Sequence, residues 1–556
     1  MSNRKTTAIL LTSLLSLSSF SVFAAPPSQQ EQLDQSRAQE SERQERRNQE
    51  RAEVVMPPPP SSDLPADEGV RFHISHVTIE HQTERFRFLE RLSRPYEGKE
   101  LSLREINELV TAMNRTLMSR GFSTSRIAVP EQNLSSDELR LVLLVGYIHA
   151  VRFADGSDTV YWKNLFPFRE GDVLNVRDIE QGIEQAKRLP SQDISVRLLP
   201  ADEPQMTDIV LNVKRGRNVY GTISFDDSGL EDTGKLQWYA SLGIDQLFHK
   251  NDMLRIGLNL DSAQDGYEKG TRGHNISYTY PYGRHTFSLS YQRSKYHQTV
   301  ASMPYDFISA GDTNISVLSW DYVLSRSANR KTSMDIRLRK RNSHRFLNDV
   351  ELPIQAMHQT SMEIGLAERL YLKRDTLYFR LAHRFGLEWM GAQEESPYED
   401  MPRTRYRMWL LDADYVHPFE FSHRPATFTM SFHGQWTMDG MELYGTDMIS
   451  MGNRYTVRGF DGEVTLMGTD GWYLRNEFAT RFPKQKLEVY LGLDVGAVYG
   501  AGADLYNGHT IAGAALGVRG MIDALSYDVF AAMPIRKPDG FHTADVTGGF
   551  SLGWRF

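Results

Sequence analysis

The chain has 556 residues and no cysteine, and its 63 basic and 71 acidic residues give a formal net charge of −8. This length allows several domains. The absence of thiols excludes a disulfide framework, a thiolate metal site and a cysteine nucleophile, and the acidic balance argues against general nucleic-acid binding.

The first residues have the form of an export signal. Arg4 and Lys5 give a positively charged start, residues 8–23 are largely apolar, and Ala24 completes a small-residue cleavage site. We therefore expect residues 1–24 to be removed as a secretory signal peptide. No run of about 18 apolar residues follows, so no transmembrane helix is expected. Alternating strands can still span an outer membrane, because a closed barrel satisfies its own backbone hydrogen bonds.

Residues 25–53 form a polar segment made almost wholly of Gln, Glu, Arg and Ser. Most of these are good helix formers, and opposite charges lie four residues apart in Glu42 and Arg46. Without an apolar stripe the segment has no face for an ordinary core. Two interpretations stay open: a solvated or disordered tail, and a helix in a water-filled channel. Residues 54–69, with four consecutive prolines, predict an extended linker.

Residues 70–217 repeat the order β–α–β–β twice, which predicts two small α+β domains at 70–146 and 147–217. Ser102 and Glu105 have capping-box spacing before an amphipathic helix, which Gly121 ends. The predicted elements are a strand at 72–80, a helix from 102, strands at 123–129 and 138–145, then a strand at 148–153, a helix at 176–189 with Asn175 as its cap, and strands at 194–199 and 208–213. Such domains could bind an extended polypeptide at a sheet edge, or they could be a pair of inert spacers.

From residue 218 onward, apolar and polar residues alternate with a period of two between turn residues. For example, Leu254, Ile256, Leu258 and Leu260 alternate with Arg255, Gly257 and Asn259. We count about sixteen such strands, an even number typical of bacterial outer-membrane barrels. A soluble β-sandwich would instead bury Asp245, Arg255, Arg475 and Glu477 in its core, at high cost. The pattern therefore predicts a membrane β-barrel over residues 218–556.

One long loop, at residues 439–470, is too rich in glycine to be a barrel strand. Gly459 can adopt a positive φ and bring Arg458 close to other groups. The strand at 487–498 places Asp494 on the lumen side by parity, so an inward fold of the loop would allow an Arg–carboxylate pair. Glu477 is a further candidate partner. The residues alone leave open an arginine that points into water and an aspartate that lines the pore.

These features, in this order, resemble the outer-membrane transporters of two-partner secretion, the TpsB family of the BamA-like barrel superfamily. The residues that carry the resemblance are Val457, Arg458, Gly459 and Phe460, which match the V-R-G-[FY] loop tip, Gly492, Asp494 and Gly496, which match the G-x-D-x-G strand motif, and the terminal Phe556, which matches the barrel C-terminal signal. The resemblance implies that the loop folds into the barrel and that Arg458 pairs with Asp494.

The resemblance also implies a function. Residues 25–53 would plug the pore as a helix, and two POTRA domains would capture a large unfolded exoprotein of the TpsA type in the periplasm for export without ATP. Periplasmic chaperones, the barrel assembly machinery and membrane lipid would be further partners, and nucleic acid would not. The exporters of haemolysins, adhesins and contact-dependent-inhibition toxins are not distinguished. The alternatives are an assembly or insertion factor of the same superfamily, for which the polar helix is unexplained, and a passive porin, which would lack the POTRA-like domains.

A hydrolase is the remaining alternative. Residues 549–553 match G-x-S-x-G, but a nucleophile elbow needs a strand–turn–helix context, and only three residues follow Gly553. No H-E-x-x-H zinc motif is present. We therefore expect no catalytic residue, no metal and no cofactor.

Overall fold

The structure, a computed structural model, describes residues 29–48, 69–81, 83–262, 268–395, 401–438 and 440–556. The predicted signal peptide and all of the predicted linker except Gly69 lie outside these ranges. Among the described residues, no helix combines the length and the apolar composition that a membrane span requires.

The predicted polar helix is confirmed as α1 (Gln29–Asn48). Its 20 residues span about 30 Å at 1.5 Å per residue. Helix α1 lies inside the barrel described below, where polar partners replace the apolar face that it lacks.

The first small domain packs one long helix against short strands. Its elements are β1 (Arg71–Ile74), β2 (His76–Glu80), α2 (Glu90–Ser93), β3 (Lys99–Ser102), α3 (Leu103–Ser119), β4 (Arg126–Ala128) and β5 (Glu138–Leu144). The Ser102 hydroxyl accepts from the Glu105 N–H (3.3 Å) while the Glu105 carboxylate accepts from the Ser102 N–H (2.7 Å), so the predicted capping box is confirmed. Leu109, Met113 and Leu117 pack this helix into the core.

One predicted element of this domain is wrong. The single strand expected at 72–80 is broken at Ser75, because β1 pairs with β3 in one sheet while β2 runs parallel to β5 in another. The prediction also missed α2 and β3. Neither is longer than four residues, so neither shows a full period of its hydrophobic pattern.

The second small domain contains β6 (Tyr147–Phe153), α4 (Val176–Lys187), β7 (Gln192–Pro200) and β8 (Met206–Arg215), with sheet order β6-β8-β7. The two domains meet at Gly121, whose carbonyl accepts from the Val176 N–H at 2.9 Å. The Asn175 side chain caps α4 by accepting from Arg177 N–H (2.8 Å) and donates to the Arg120 carbonyl (3.2 Å). Gly121 has a φ of 94°, and a Cβ there would overlap the Asn175 amide, so glycine is required.

The rest of the chain closes into an antiparallel barrel, as predicted. Its sixteen strands are β9 (Val219–Asp226), β10 (Gln237–Asp245), β11 (Met253–Asp261), β12 (Lys269–Tyr282), β13 (His285–Val300), β14 (Phe307–Arg326), β15 (Arg330–Leu347), β17 (Met357–Leu372), β18 (Asp375–Leu387), β19 (Arg407–Phe421), β20 (Arg424–Thr437), β23 (Asp470–Phe482), β24 (Leu487–Tyr499), β25 (Thr510–Ile522), β26 (Leu525–Arg536) and β27 (Thr547–Arg555). Three further strands are short: β16 (Val350–Glu351) extends the hairpin between β15 and β17, and β21 (Ile449–Met451) pairs with β22 (Leu466–Gly468) inside the long loop.

The barrel closes between its first and last strands, where β27 pairs with β9 from Ser551↔Asp226 to Arg555↔Thr222. Phe556 continues the pairing: its N–H donates to the Gly221 carbonyl (3.1 Å), and Gly221 N–H donates back to the Phe556 carbonyl (3.0 Å). The Phe556 ring covers Gly221, where a Cβ would overlap it. The terminal aromatic residue therefore lies on the seam.

The second small domain docks on one end of the barrel, here called the domain end. Helix α4 reaches the turn between β12 and β13, where Gln185 donates to the Gly283 carbonyl (3.2 Å) and Asp178 pairs with Arg284 (2.6 Å). Glu184 contacts both Lys331 and Arg326, the latter at 2.5 Å. Burial alone raises the pKa of the Glu184 carboxyl, but Lys331 and then Arg326 outweigh it and lower that pKa to about 2.

We expect Glu184→Gln in the full-length chain to loosen this docking. Removing one partner of a buried ion pair costs about 3–5 kcal/mol, so backbone amides of α4 should exchange with deuterium at least about tenfold faster. The exposed Glu108→Gln on α3 is the matched control, because the Glu108 carboxylate pairs with the exposed Arg104 on the same helix (3.2 Å).

The same contact sets a pH dependence with a defined sign. A lowered carboxyl pKa means that the ion pair stabilises docking fully above the ordinary value of 4.5 and is lost as the pH falls toward about 2. Exchange of α4, corrected for the intrinsic rate, should therefore rise in the wild type between pH 4.5 and pH 2. A flat profile, or exchange in Glu184→Gln equal to that of the wild type, would contradict this account.

Candidate functional site in the barrel lumen

Helix α1 fills part of the lumen and is held by polar contacts on every side. Leu33 is its one large apolar residue. Its contacts with the wall include Glu31 with Arg345 and Thr313, Glu40 with Arg475 (3.0 Å), Glu42 with Arg337 (2.8 Å), Glu45 with Arg255 (2.6 Å) and Arg46 with Asp414 (3.5 Å). The charges of the helix and of the wall are complementary, so a segment with no apolar face can still be specifically bound.

Arg43 is the most deeply buried cation of α1, with 1% of its surface exposed. Its guanidinium donates to the Glu40 carboxylate (2.6 Å) and to the Tyr473 hydroxyl (2.9 Å), and lies 5.5 Å from the centroid of the Tyr473 ring. A charge at this depth is tolerated only when it is paired and hydrogen-bonded. Tyr473 and Glu40 therefore fix the position of the helix in the lumen.

The long loop between β20 and β23 folds into the barrel. Strands β21 and β22 form a hairpin whose side chains join an apolar cluster against the inner wall. The cluster consists of Ile449, Met451, Val457, Phe460, Leu466, Tyr473, Val498, Ala503, Ile511 and Phe541. The tip residues Val457 and Phe460 are fully or almost fully buried, so the hydrophobic effect favours the inward position.

Arg458 at the loop tip makes a bidentate pair with Asp494 on β24. Its Nε lies 2.7 Å from Asp494 Oδ2 and its Nη2 lies 2.9 Å from Oδ1, while the Arg458 backbone N–H also donates to Oδ2 (3.0 Å). The Glu477 carboxylate accepts from Nη1 (2.7 Å), and the Asn476 carbonyl accepts from Nη2 (3.0 Å). The Asp494 side chain has no exposed surface. The structure thus places both predicted carboxylates on the predicted arginine.

The glycines of the two motifs provide space for this contact. A Cβ on Gly492 would overlap the Arg458 guanidinium, and a Cβ on Gly496 would crowd the Met451 sulfur at 2.5 Å. Gly459 has a φ of 111° and lies against the Met533 carbonyl, which leaves no room for a side chain. Gly513 on β25, which sequence reasoning missed, faces the Arg458 carbonyl just as closely.

The loop and α1 also contact each other. Arg475 on β23 donates to the Tyr455 carbonyl of the loop (2.6 Å) and pairs with Glu40 of α1 (3.0 Å). The Tyr455 hydroxyl accepts from Arg37 of α1 (3.2 Å). Strand parity places Arg475 on the lumen face, but the contacts of Arg475 and Tyr455 with α1 each span more than 400 positions of sequence, and no local pattern indicates them.

A cavity of 680 Å³ remains beside α1, between the helix and the wall formed by β13 to β18. Its lining is polar and includes Glu184 and Arg188 of α4, so the second small domain borders the lumen. No three His, Asp or Glu side chains within the described ranges are placed to hold a metal ion. The G-x-S-x-G match lies inside strand β27, with no turn or helix after it.

A closed sixteen-strand barrel with two tandem α+β domains at one end, an inward loop and a polar helix in its lumen defines an outer-membrane transporter with periplasmic domains. Residues 72–146 match the ShlB-type POTRA domain and residues 147–200 match a POTRA domain. Residues 205–520 match the family described as haemolysin secretion/activation protein ShlB/FhaC/HecB. The chain belongs to this family.

Comparisons with individual relatives support the same family. The outer-membrane transporter CdiB-2 of Burkholderia pseudomallei is 38% identical over 478 residues, which cover 85% of this chain and 82% of that protein. CdiB of Dickeya dadantii is 29% identical over the full length of both chains. The structure of CdiB from Escherichia coli superposes with a TM-score of 0.86 at 25% identity and covers 96% of this chain and 100% of that one. The family, fold class and outer-membrane location expected from the sequence are confirmed, and the domain end faces the periplasm.

The geometry of Gly492 gives a direct test of the loop contact. Gly492→Ala should displace the Arg458 guanidinium and lower secretion of the exported partner about as much as Arg458→Ala does, with the barrel still inserted. Gly548→Ala on β27 is the matched control, because its new Cβ would meet no atom closer than 3.7 Å. The measurement is the amount of exoprotein in the culture medium, normalised to heat-modifiable barrel in the outer membrane. If Gly492→Ala secretes as much exoprotein as Gly548→Ala, the contact between Arg458 and Asp494 is not needed for secretion.

Proposed function

We propose that this chain captures one large, unfolded exoprotein in the periplasm through its POTRA domains and passes it through the barrel to the cell surface. The proposal divides the chain into a signal peptide (1–24), a plug (25–53), a linker (54–69), POTRA domains (70–146 and 147–217) and the barrel (218–556). Chaperones would keep the exoprotein unfolded, and the barrel assembly machinery would insert the transporter through the signal that ends in Phe556. Folding of the exoprotein outside the cell would drive export without ATP.

One observation carries the proposal: α1 is held in the lumen by ion pairs and hydrogen bonds, with a single large apolar residue, Leu33. A helix that is polar on every face loses little when water replaces its partners, so it can leave the lumen and return. The loop differs, because its tip is buried in an apolar cluster and its arginine is bidentate. We infer that α1 is the mobile plug and that the loop stays as part of the pore wall.

Capture of the exoprotein would use a sheet edge of a POTRA domain. Strand β7 pairs with β8 on one side only and lies at the edge of its sheet. An extended polypeptide can add to such an edge through main-chain hydrogen bonds, which recognise an unfolded chain without a fixed sequence. The likeness to CdiB transporters supports a cargo of the kind that they export.

The plug hypothesis predicts a conductance change in planar bilayers. Deletion of residues 29–48 should raise the single-channel conductance severalfold. In the wild type, raising the salt concentration from about 0.1 to 1 M should make channel openings more frequent. The added salt shortens the Debye length from about 10 to 3 Å and so screens the ion pairs of α1. The conductance of the deletion variant should rise only in proportion to the conductivity of the salt solution, so this variant provides the control. Equal conductance with and without α1 would rule out the plug.

The cargo hypothesis is tested by photo-crosslinking in cells. A crosslinking amino acid replaces Leu199, an exposed residue of β7, and a control replaces the exposed Arg104 of α3 in the other POTRA domain. Recovery of one very large exported protein, joined at its N-terminal region to position 199, supports secretion. Recovery of many barrel precursors would instead indicate an assembly factor of the same superfamily.

A further inference from the structure

The barrel wall is taller on one side than on the other. Strands β14 and β15 have 20 and 18 residues, whereas β9 and β10 on the seam side have eight and nine. About 9–11 tilted residues cross a bilayer core. The turns at the periplasmic end are short, so the extra length of the tall side lies at the extracellular end.

The outward face of the tall side carries basic residues toward the extracellular end. Gln292 and Ser294 line the lumenal cavity, so their neighbours Arg293 and Lys295 on β13 point outward. Lys340 on β15 points outward for the same reason, because Arg339 and Arg341 line the cavity. Arg272 on β12 lies directly opposite Lys295 in the sheet. We call Arg272, Arg293, Lys295 and Lys340 the outer cationic patch.

The height of the patch follows from the sheet register. Leu289 and Leu318 are opposite each other, face outward and are 57% and 53% exposed, as expected at the lipid surface. Arg293 lies four residues beyond Leu289 on the same strand, which is about 13 Å along the strand and about 9 Å along the membrane normal at a tilt near 45°. Lys340 lies two residues beyond Leu338 on β15, which is half of that distance along the strand. Counted from the periplasmic turns, Arg293 is the ninth residue of β13 and Lys340 the eleventh of β15. Both therefore lie where the 9–11 residues that cross the bilayer core end, level with the lipid headgroups of the outer leaflet.

The positive charge of the patch is largely uncompensated. Asp312 is the carboxylate opposite Lys295; it accepts two bonds from Arg293 (2.9 and 2.6 Å) and pairs with Lys295 (2.9 Å). Among the described residues, the Arg272 guanidinium has no hydrogen-bond or ion-pair partner, and the Lys340 ammonium donates only to the Met390 carbonyl (2.6 Å). Like charges directly opposite each other destabilise a sheet, so a further anion beside Arg272 and Lys295 would stabilise this pair.

The outward residues at the same end of the seam side are different. Leu236, Trp238, Met533, Ile535 and Val546 are all exposed and apolar. Lys235, which pairs with Glu231 (2.9 Å), and Lys537 are also exposed at this end, but they lie outside the barrel strands, whereas the four residues of the patch lie on the outward wall.

We propose that the outer cationic patch binds the phosphate groups of the phosphorylated glycolipid, lipopolysaccharide, that fills the outer leaflet. Arg and Lys recognise phosphate oxygens through charge-assisted hydrogen bonds, and the leucines below the patch contact acyl chains. The proposal needs only the outer-membrane location and holds whether or not the proposed cargo and plug are correct.

Native mass spectrometry of the full-length protein in detergent tests the proposal, with added lipid A that carries both phosphates as the probe. The variant Arg272→Gln/Lys295→Gln/Lys340→Gln keeps the Arg293–Asp312 pair and should bind this lipid about 100-fold more weakly. Lys373→Gln/Lys484→Gln/Lys486→Gln, in turns at the periplasmic end, removes the same charge and should bind like the wild type. Lipid A without phosphates should bind the wild type about as weakly as the first variant binds the phosphorylated form.

Heat modifiability on a gel shows which variants are folded. If the triple variant is not, Lys340→Gln alone should still weaken binding about fivefold. Undiminished binding by the folded triple variant, or by Lys340→Gln where only that variant folds, would overturn the proposal. So would equal affinity of the wild type for lipid A with and without phosphates.

Discussion

The bidentate contact between Arg458 and Asp494 is the interaction on which the lumen depends. Both groups are buried, and either one alone would be an unpaired charge in the wall of a membrane protein, which costs more than the pair contributes. Several positions nearby follow from this single contact. Gly492 leaves room for the guanidinium, Gly513 lets the loop backbone reach the wall, and Glu477 takes the remaining face of the arginine and pairs in turn with Arg519.

The lumen holds two inserted segments by different kinds of force. The loop buries an apolar cluster as well as its ion pair, whereas α1 has polar contacts with the wall and with the loop. Apolar burial is lost in full when a segment moves into water, whereas the hydrogen bonds and ion pairs of α1 are exchanged for bonds to water. This difference supports the proposal that the loop stays in the barrel while α1 leaves it.

The second periplasmic domain is in direct contact with the barrel and borders its lumen. Helix α4 contacts the turns at the domain end through Gln185 and Glu184, and Glu184 and Arg188 also line the cavity beside α1. A polypeptide bound to the second POTRA domain is thus one helix away from the lumen. This arrangement gives a physical route by which the proposed capture in the periplasm and the proposed release of α1 can be linked.

The sequence by itself determined the order of the domains, the barrel and the lumen face of Asp494, because these follow from local composition and from a period of two along each strand. For the polar segment it left a helix and a disordered tail open. It also indicated the loop tip, through a motif. Only the tertiary structure decided that Arg475 joins the loop to α1, that the strand expected at 72–80 is two strands in different sheets, and that Gly513 approaches the loop. Closure of the barrel brings together residues far apart along the chain, and their partners depend on register and depth in the lumen, which no local pattern contains.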